Sequence, residues 1–169
     1  MKKLLNFSFI IALLGVVGIL LFLCPSVKIA NQFEGEIQIN LFQATFGGAF
    51  LISSSKIDSM INLNTCPGLI VALIFAIVGV CLSLAKFKCK WVNLLSFPFY
   101  LTAGILAAFA APMVEKASKM RSVGTLVKTY ENLGGAIAVS VIFCVLAAFA
   151  LLDFLFSVAK PKPKQQETY

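Results

Sequence analysis

GLIVALIFAIVGVCLSLA, from Gly68 to Ala85, runs for 18 residues without a charged side chain. A hydrocarbon layer about 30 Å thick is crossed by roughly 20 apolar residues of helix, so this stretch reads as a membrane span at the short end of the range. Three more stretches resemble it: Leu4–Cys24, Trp91–Val114 and Leu133–Ser157, with 21, 24 and 25 residues. Together the four contain a single acid, Asp153, and no Lys, Arg or Glu. Barrel strands alternate apolar and polar residues, whereas Ile70–Cys81 is continuously apolar. A helix also satisfies its backbone within one segment, as lipid demands. The expected fold is an all-α integral membrane protein, a four-transmembrane-helix bundle with a small β-hairpin or sheet in the first extracytoplasmic loop.

Composition agrees. Of 169 residues, 60% are hydrophobic and only 12% charged, against about a quarter charged in soluble domains. The net charge of +7 does not imply nucleic acid, because the cations sit in short clusters at the edges of the apolar stretches and no polar domain carries a binding face. Such clusters mark the cytoplasmic side and contact anionic lipid. Lys2 and Lys3, then Lys86, Lys88 and Lys90, then Lys160, Lys162 and Lys164 fall on one side; Lys28, Lys56, Lys116, Lys119, Arg121 and Lys128 fall on the other. The first group is denser, which places both termini in the cytoplasm and the chain in the cell membrane. The Met-Lys-Lys start resembles a signal peptide, but its apolar run exceeds the 7–15 residues of such a segment. An uncleaved first span is expected. The order is then a cytoplasmic N-terminus (1–3), span one (4–24), a strand-bearing outer loop (25–67), span two (68–85), a cytoplasmic link (86–90), span three (91–114), an amphipathic outer loop (115–132), span four (133–157) and a disordered cytoplasmic tail (158–169).

The first outer loop alternates through Glu36, Ile37, Gln38, Ile39, Asn40 and Leu41, the period of a half-buried strand. A hairpin over 27–30 and 36–42 follows, and Ala49–Ser53 reads as a third strand after the break at Gly47-Gly48. Ser53–Ser55 and Asn62–Thr65 read as loop. Phe33, Phe42, Phe46 and Phe50 either pack this sheet onto the bundle, touch headgroups or form a binding surface. In the second outer loop Ala117, Met120, Val123, Val127 and Tyr130 recur at helical spacing, which predicts an amphipathic helix interrupted near Gly124. The first loop carries net negative charge and the second net positive, so the two attract weakly.

Cys24 and Cys66 both fall at the outer boundary and admit either a disulfide or two free thiols; the prolines that follow them suit a helix end and a helix start. Cys81 and Cys144 read as small packing residues. Cys89, between lysines, has the surroundings that favour a thiolate.

Catalytic chemistry is hard to find. The chain has no histidine, which excludes His-based triads and His-ligated zinc or haem. There is no Cys-x-x-Cys pair and no phosphate-binding glycine loop. No cofactor is expected, and the seven carboxylates are scattered. Ionisable residues within a span mark function by default, and Asp153 is the single instance. Asn6 and Asn93 fall at similar depth, which defines a candidate inner polar cluster of Asn6, Asn93 and Asp153. It serves either as a tie between helices or as an ion or proton site.

Small residues recur every four positions on span three (Ala103, Ala107 and Ala111; Gly104 and Ala108) and on span four (Ala136, Ser140, Cys144 and Ala148). Such stripes let helices approach closely and predict tight packing of these two spans, or a homo-oligomer. Pro98 and Pro112 are expected to bend span three. The layout is similar to that of claudin-like tetraspan proteins. That resemblance implies architecture alone, since the claudin first loop carries a Trp motif and two internal cysteines. Here the one Trp is Trp91, and no cysteine lies between Cys24 and Cys66. The expected role is a non-enzymatic interaction, scaffold or accessory subunit, its partners being the lipid bilayer and another membrane protein or a second copy. The alternative is a small transporter or channel component built around Asp153. Lys, Ser or Cys catalysis is a third, weaker reading.

Overall fold

A computed structural model describes residues 2–31, 35–52, 59–85, 92–120 and 128–159. The chain is mostly helical. In order it forms α1 (Lys2–Leu20), a single 3-10 turn (Leu21–Leu23), β1 (Pro25–Asn31), β2 (Glu36–Asn40), α2 (Leu41–Phe46), β3 (Gly48–Ile52), β4 (Ser59–Leu63), α3 (Pro67–Ala85), α4 (Val92–Ala108), α5 (Ala110–Ala117), β5 (Ser118–Met120), β6 (Lys128–Asn132) and α6 (Gly134–Ala159). Two helices, Pro67–Ala85 and Gly134–Val158, are long and apolar enough to cross a membrane, or three if the bent pair α4–α5 counts as one span. The described apolar part of α1, Phe9–Leu23, is shorter.

The long helices pack side by side. α4 lies against both α3 and α6, and α1 lies against the same two. α3 starts at Pro67, where a missing N–H costs nothing, and the Cys66 carbonyl accepts from Leu69 and Ile70. The buried positions of α6 include Ala136, Val139, Phe143, Leu146, Ala147, Ala150 and Asp153, a three–four spacing that defines one covered face.

The fold is not all-α, and its sheet is not confined to the first loop. Two antiparallel three-stranded sheets cap one end, in the orders β2-β1-β6 and β3-β4-β5. Each draws two strands from residues 25–63 and one from residues 118–132. The hairpin and third strand expected from alternation are present. Asn62 and Leu63, expected in a loop, belong to β4, where Ile61 and Leu63 are buried. The helix expected over 115–132 ends at Ala117, and strands β5 and β6 follow. Pairing with β4 and β1 overrides the local helical period there, as tertiary context commonly does. Gly124 and the aromatic Phe33 lie outside the described residues, as do Ser53–Ser55, the link with Lys86, Lys88, Cys89 and Lys90, Trp91, and the tail from Lys160.

The cap is joined to the helices at β1. Its register shifts between Pro25 and Val27. The buried Ser26 there turns its Oγ to the Cys24 carbonyl at 2.7 Å, and its own carbonyl accepts from Leu133 at 2.7 Å, where α6 begins. Lys28 faces Glu131 across the β1–β6 ladder and forms an ion pair with Glu36 of β2 at 2.5 Å. The Glu36 carboxylate, by hydrogen bond and charge, holds the Lys28 ammonium above its ordinary value, and Glu131 adds to this against slight desolvation. The Lys28–Glu36 ion pair lies within the first of the two loop segments, and exposed pairs contribute little; the two segments are joined by strand pairing instead.

Candidate functional site

Three places in the fold gather groups with functional potential. The first is the C-terminal end of α6. Asp153 is only 3% exposed, and Ser157 one turn on is also buried, its Oγ donating to the Phe154 carbonyl at 2.8 Å. Ser96, near the start of the neighbouring α4, is buried too. All three are engaged in interactions. Asn6 falls in α1 and Asn93 in α4; their side chains lie outside the described residues. The structure therefore brings buried serines to the end that carries Asp153, a pairing the sequence reading missed.

The second place is the helix core around Tyr100. This side chain is fully buried. Its hydroxyl lies 3.0 Å from the Ser83 Oγ of α3, and Ser83 itself donates to the Gly79 carbonyl at 2.9 Å. The ring stacks on Phe143 of α6, with centroids 6.0 Å apart. Room for it comes from glycines on two helices. A β-carbon at Gly79 would stand 2.7 Å from the Tyr100 ring, and one at Gly15 of α1 would stand 3.1 Å from its hydroxyl. Tyr100 thus touches all three neighbouring helices. Removing its hydroxyl with Tyr100→Phe is expected to lower stability by about 1 kcal/mol, the net worth of one buried hydrogen bond. Thermal unfolding in detergent would register that loss, and an unchanged midpoint would show the bond to be idle.

Packing of α4 on α6 is as tight as the small residues suggested, but the covered faces differ in part. Ala103, Gly104, Ala107, Ala111 and Ala136 are buried and Ser140 is half-buried. Ala108 and Ala148, expected in the seam, are exposed, as are Cys81 and Cys144. At Gly104 the helices come closest, since a β-carbon there would stand 3.1 Å from the Ser140 carbonyl oxygen and 3.0 Å from the Cys144 Sγ. On α6, Phe143 stacks on Tyr100 of α4, and Leu146 and Ala147 are buried where Ala148 is not. Cys24 and Cys66 are free thiols, Cys24 half-buried and Cys66 buried. The Cys66 N–H donates to the Thr45 carbonyl at 3.2 Å, which ties the start of α3 to α2.

The third place is the break between α4 and α5, where the axis turns by 63°. Pro112 has no N–H, so the carbonyl four residues earlier, Ala108, loses its helical donor. The Asn132 side chain replaces it. Its Nδ2 donates to the Ala108 carbonyl at 2.6 Å, while its Oδ1 accepts from the Ala111 N–H at 2.9 Å. One amide at the end of β6 therefore repairs both orphaned groups of the bend. Nearby, the Ser118 and Tyr130 hydroxyls lie 2.6 Å apart and link the start of β5 to the middle of β6. The bend itself follows from Pro112. The internal Pro98 leaves α4 continuous, with the Thr102 hydroxyl donating to its carbonyl at 2.7 Å.

Among the described residues no cluster of His, Cys, Asp or Glu could hold a metal ion. No family model, curated protein or solved structure matches the chain. What the fold defines is a class: a mostly helical chain with two or three helices able to cross a membrane, closed at one end by two small sheets.

Proposed function

We propose that the chain is a four-span membrane bundle with both termini in the cytoplasm, acting as a non-enzymatic interaction or scaffold subunit through its outer cap. The carrying observation is the cap itself. Strands from two separate outer segments are woven into two shared sheets, and Ser26 and Asn132 bolt them to the helix ends. A fixed platform of this kind suits recognition, because pre-ordered backbone loses less entropy on binding. The helix interior is filled by Tyr100, Phe143 and alanines, as packing requires. Counting α1 as a span follows from its sequence, since Leu4–Cys24 holds 21 residues without charge. Mild detergent extraction followed by native mass measurement tests the role. A co-purified membrane protein or a discrete homo-oligomer is expected. A lone monomer whose liposomes leak one solute selectively would sink the proposal.

A second reading is favoured by one observation, the burial of Asp153 inside an apolar helix beside Ser157. On this reading the acid is a coupling-ion or proton site in a small transporter. Asp153→Asn separates the two. Loss of assembly identifies a structural tie, whereas loss of a solute or proton flux with assembly intact identifies transport.

A further inference from the structure

We propose that α2 is a foot that rests on the membrane surface, its Phe42–Phe46 face seated among the lipids of the outer leaflet. α2 is short and strongly two-sided. Leu41, Ala44 and Thr45 are fully buried, while Phe42 and Phe46 are 44% and 55% exposed. Their rings lie 4.8 Å apart in a tilted pair, which makes a single apolar unit. No residue of α2 is charged.

The helix is held in one orientation. Asn40 and Gln43 form a reciprocal capping box, with bonds of 2.6 and 3.1 Å. The Thr45 Oγ1 donates to the Leu41 carbonyl at 2.7 Å. At its far end the Thr45 carbonyl accepts from Cys66, the residue just before α3. α2 also packs against the 3-10 turn that ends α1. It therefore sits at the height where α1 and α3 end.

Continuity of the apolar surface names the occupant. Leu13, Val16, Val17, Leu20 and Leu23 are exposed along α1 and its terminal turn, an uncovered strip that lipid covers if α1 spans. α2 adjoins the turn that ends this strip, so Phe42 and Phe46 add exposed aromatic surface beside the helix end. An amphipathic segment gains by lying in the interface with its apolar face, Phe among its usual residues, sunk to the boundary between headgroups and acyl chains. The cap would then be set at a fixed height and tilt above the bilayer.

This inference rests on the membrane-spanning reading, and fluorescence quenching tests the two separately. In a Trp91→Phe background, one Trp is placed at position 46 (Phe46→Trp) or on the uncovered side of α6 (Val141→Trp). Phe42→Trp substitutes if the first variant fails to fold. Each protein is reconstituted in phosphatidylcholine vesicles brominated either high on the acyl chain or near its end. The expected result is blue-shifted emission from position 46, lost chiefly to the shallow bromines, and emission from position 141 lost chiefly to the deep ones. Red, unquenched emission from position 46 with position 141 quenched overturns the foot alone. Blue emission from position 46 that no bromine reaches also overturns it, in favour of a protein cover. If neither position is quenched, the spanning reading falls and the foot with it.

Discussion

Gly47→Val is expected to dismantle the cap while leaving the long helices intact. Gly47 joins α2 to β3 with φ at +74° and ψ at −173°, a region that is essentially open to glycine alone and costs a residue with a β-carbon on the order of 1–3 kcal/mol. The space is also closed. A β-carbon there would collide with the Leu63 carbonyl oxygen and stand 2.9 Å from the Asn64 backbone. Backbone cannot rotate aside, so β4 must shift, adding roughly 1–3 kcal/mol of overpacking. The loss falls on the β3–β4 pairing and on the Thr45–Cys66 bond. Labelling of the buried Cys66 by a membrane-impermeant maleimide, resolved from the other free thiols by peptide mass, reads the effect. Strong labelling in the variant against protection in the parent is expected, with the helical circular dichroism unchanged. A Cys66 still protected in Gly47→Val would show that the cap tolerates the displacement.

Asn132→Ala should cost nearly as much by a different route. It strips both partners from the α4–α5 break, leaving the Ala108 carbonyl and the Ala111 N–H without their present bonds. Each orphaned group costs about 1–3 kcal/mol when buried, and partial exposure keeps this site at the lower end, roughly 2 kcal/mol in all. The mechanism makes a sharper forecast through a double-mutant cycle. With Pro112→Ala the restored N–H at position 112 can reach the Ala108 carbonyl, so half of what Asn132 supplies becomes redundant. The penalty for Asn132→Ala should shrink in that background. Equal penalties in both backgrounds would refute the repair.

Much of this architecture was legible in the residues. The long helices follow from apolarity alone, and the β1–β2 hairpin from the alternation through Ile37 and Ile39. The bend followed from Pro112. Other parts were hidden for identifiable reasons. α2 interrupts the strand pattern over six residues, too short for a period to show, although the capping box Asn40-x-x-Gln43 was a readable start signal. β4 also alternates, with Ile61 and Leu63 inward, but the asparagines around them resemble a loop. β5 and β6 could not be found locally, because their partners lie far back in the chain. Of the candidate groups, Asp153 was visible as the single acid in an apolar stretch. The role of Asn132 depends on Pro112 twenty residues away, and sequence offers no sign of that pairing. The seam between α4 and α6 was misplaced at Ala108 and Ala148 because small size marks where helices can approach, not which large residues come to fill the rest.

The shared sheets impose an order of events on biogenesis. Ile29 of β1 pairs with Ile37 on one side and Tyr130 on the other, so its second neighbour is made about a hundred residues later. At synthesis rates of about 5–20 residues per second, the hairpin waits roughly 5–20 s with one edge open. Exposed edges are sites of promiscuous strand pairing, and a ribosome that pauses within α4 would lengthen that exposure. Slowed translation across residues 92–117 should therefore raise the fraction of nascent chain captured by chaperones, and codon choice there becomes a determinant of yield.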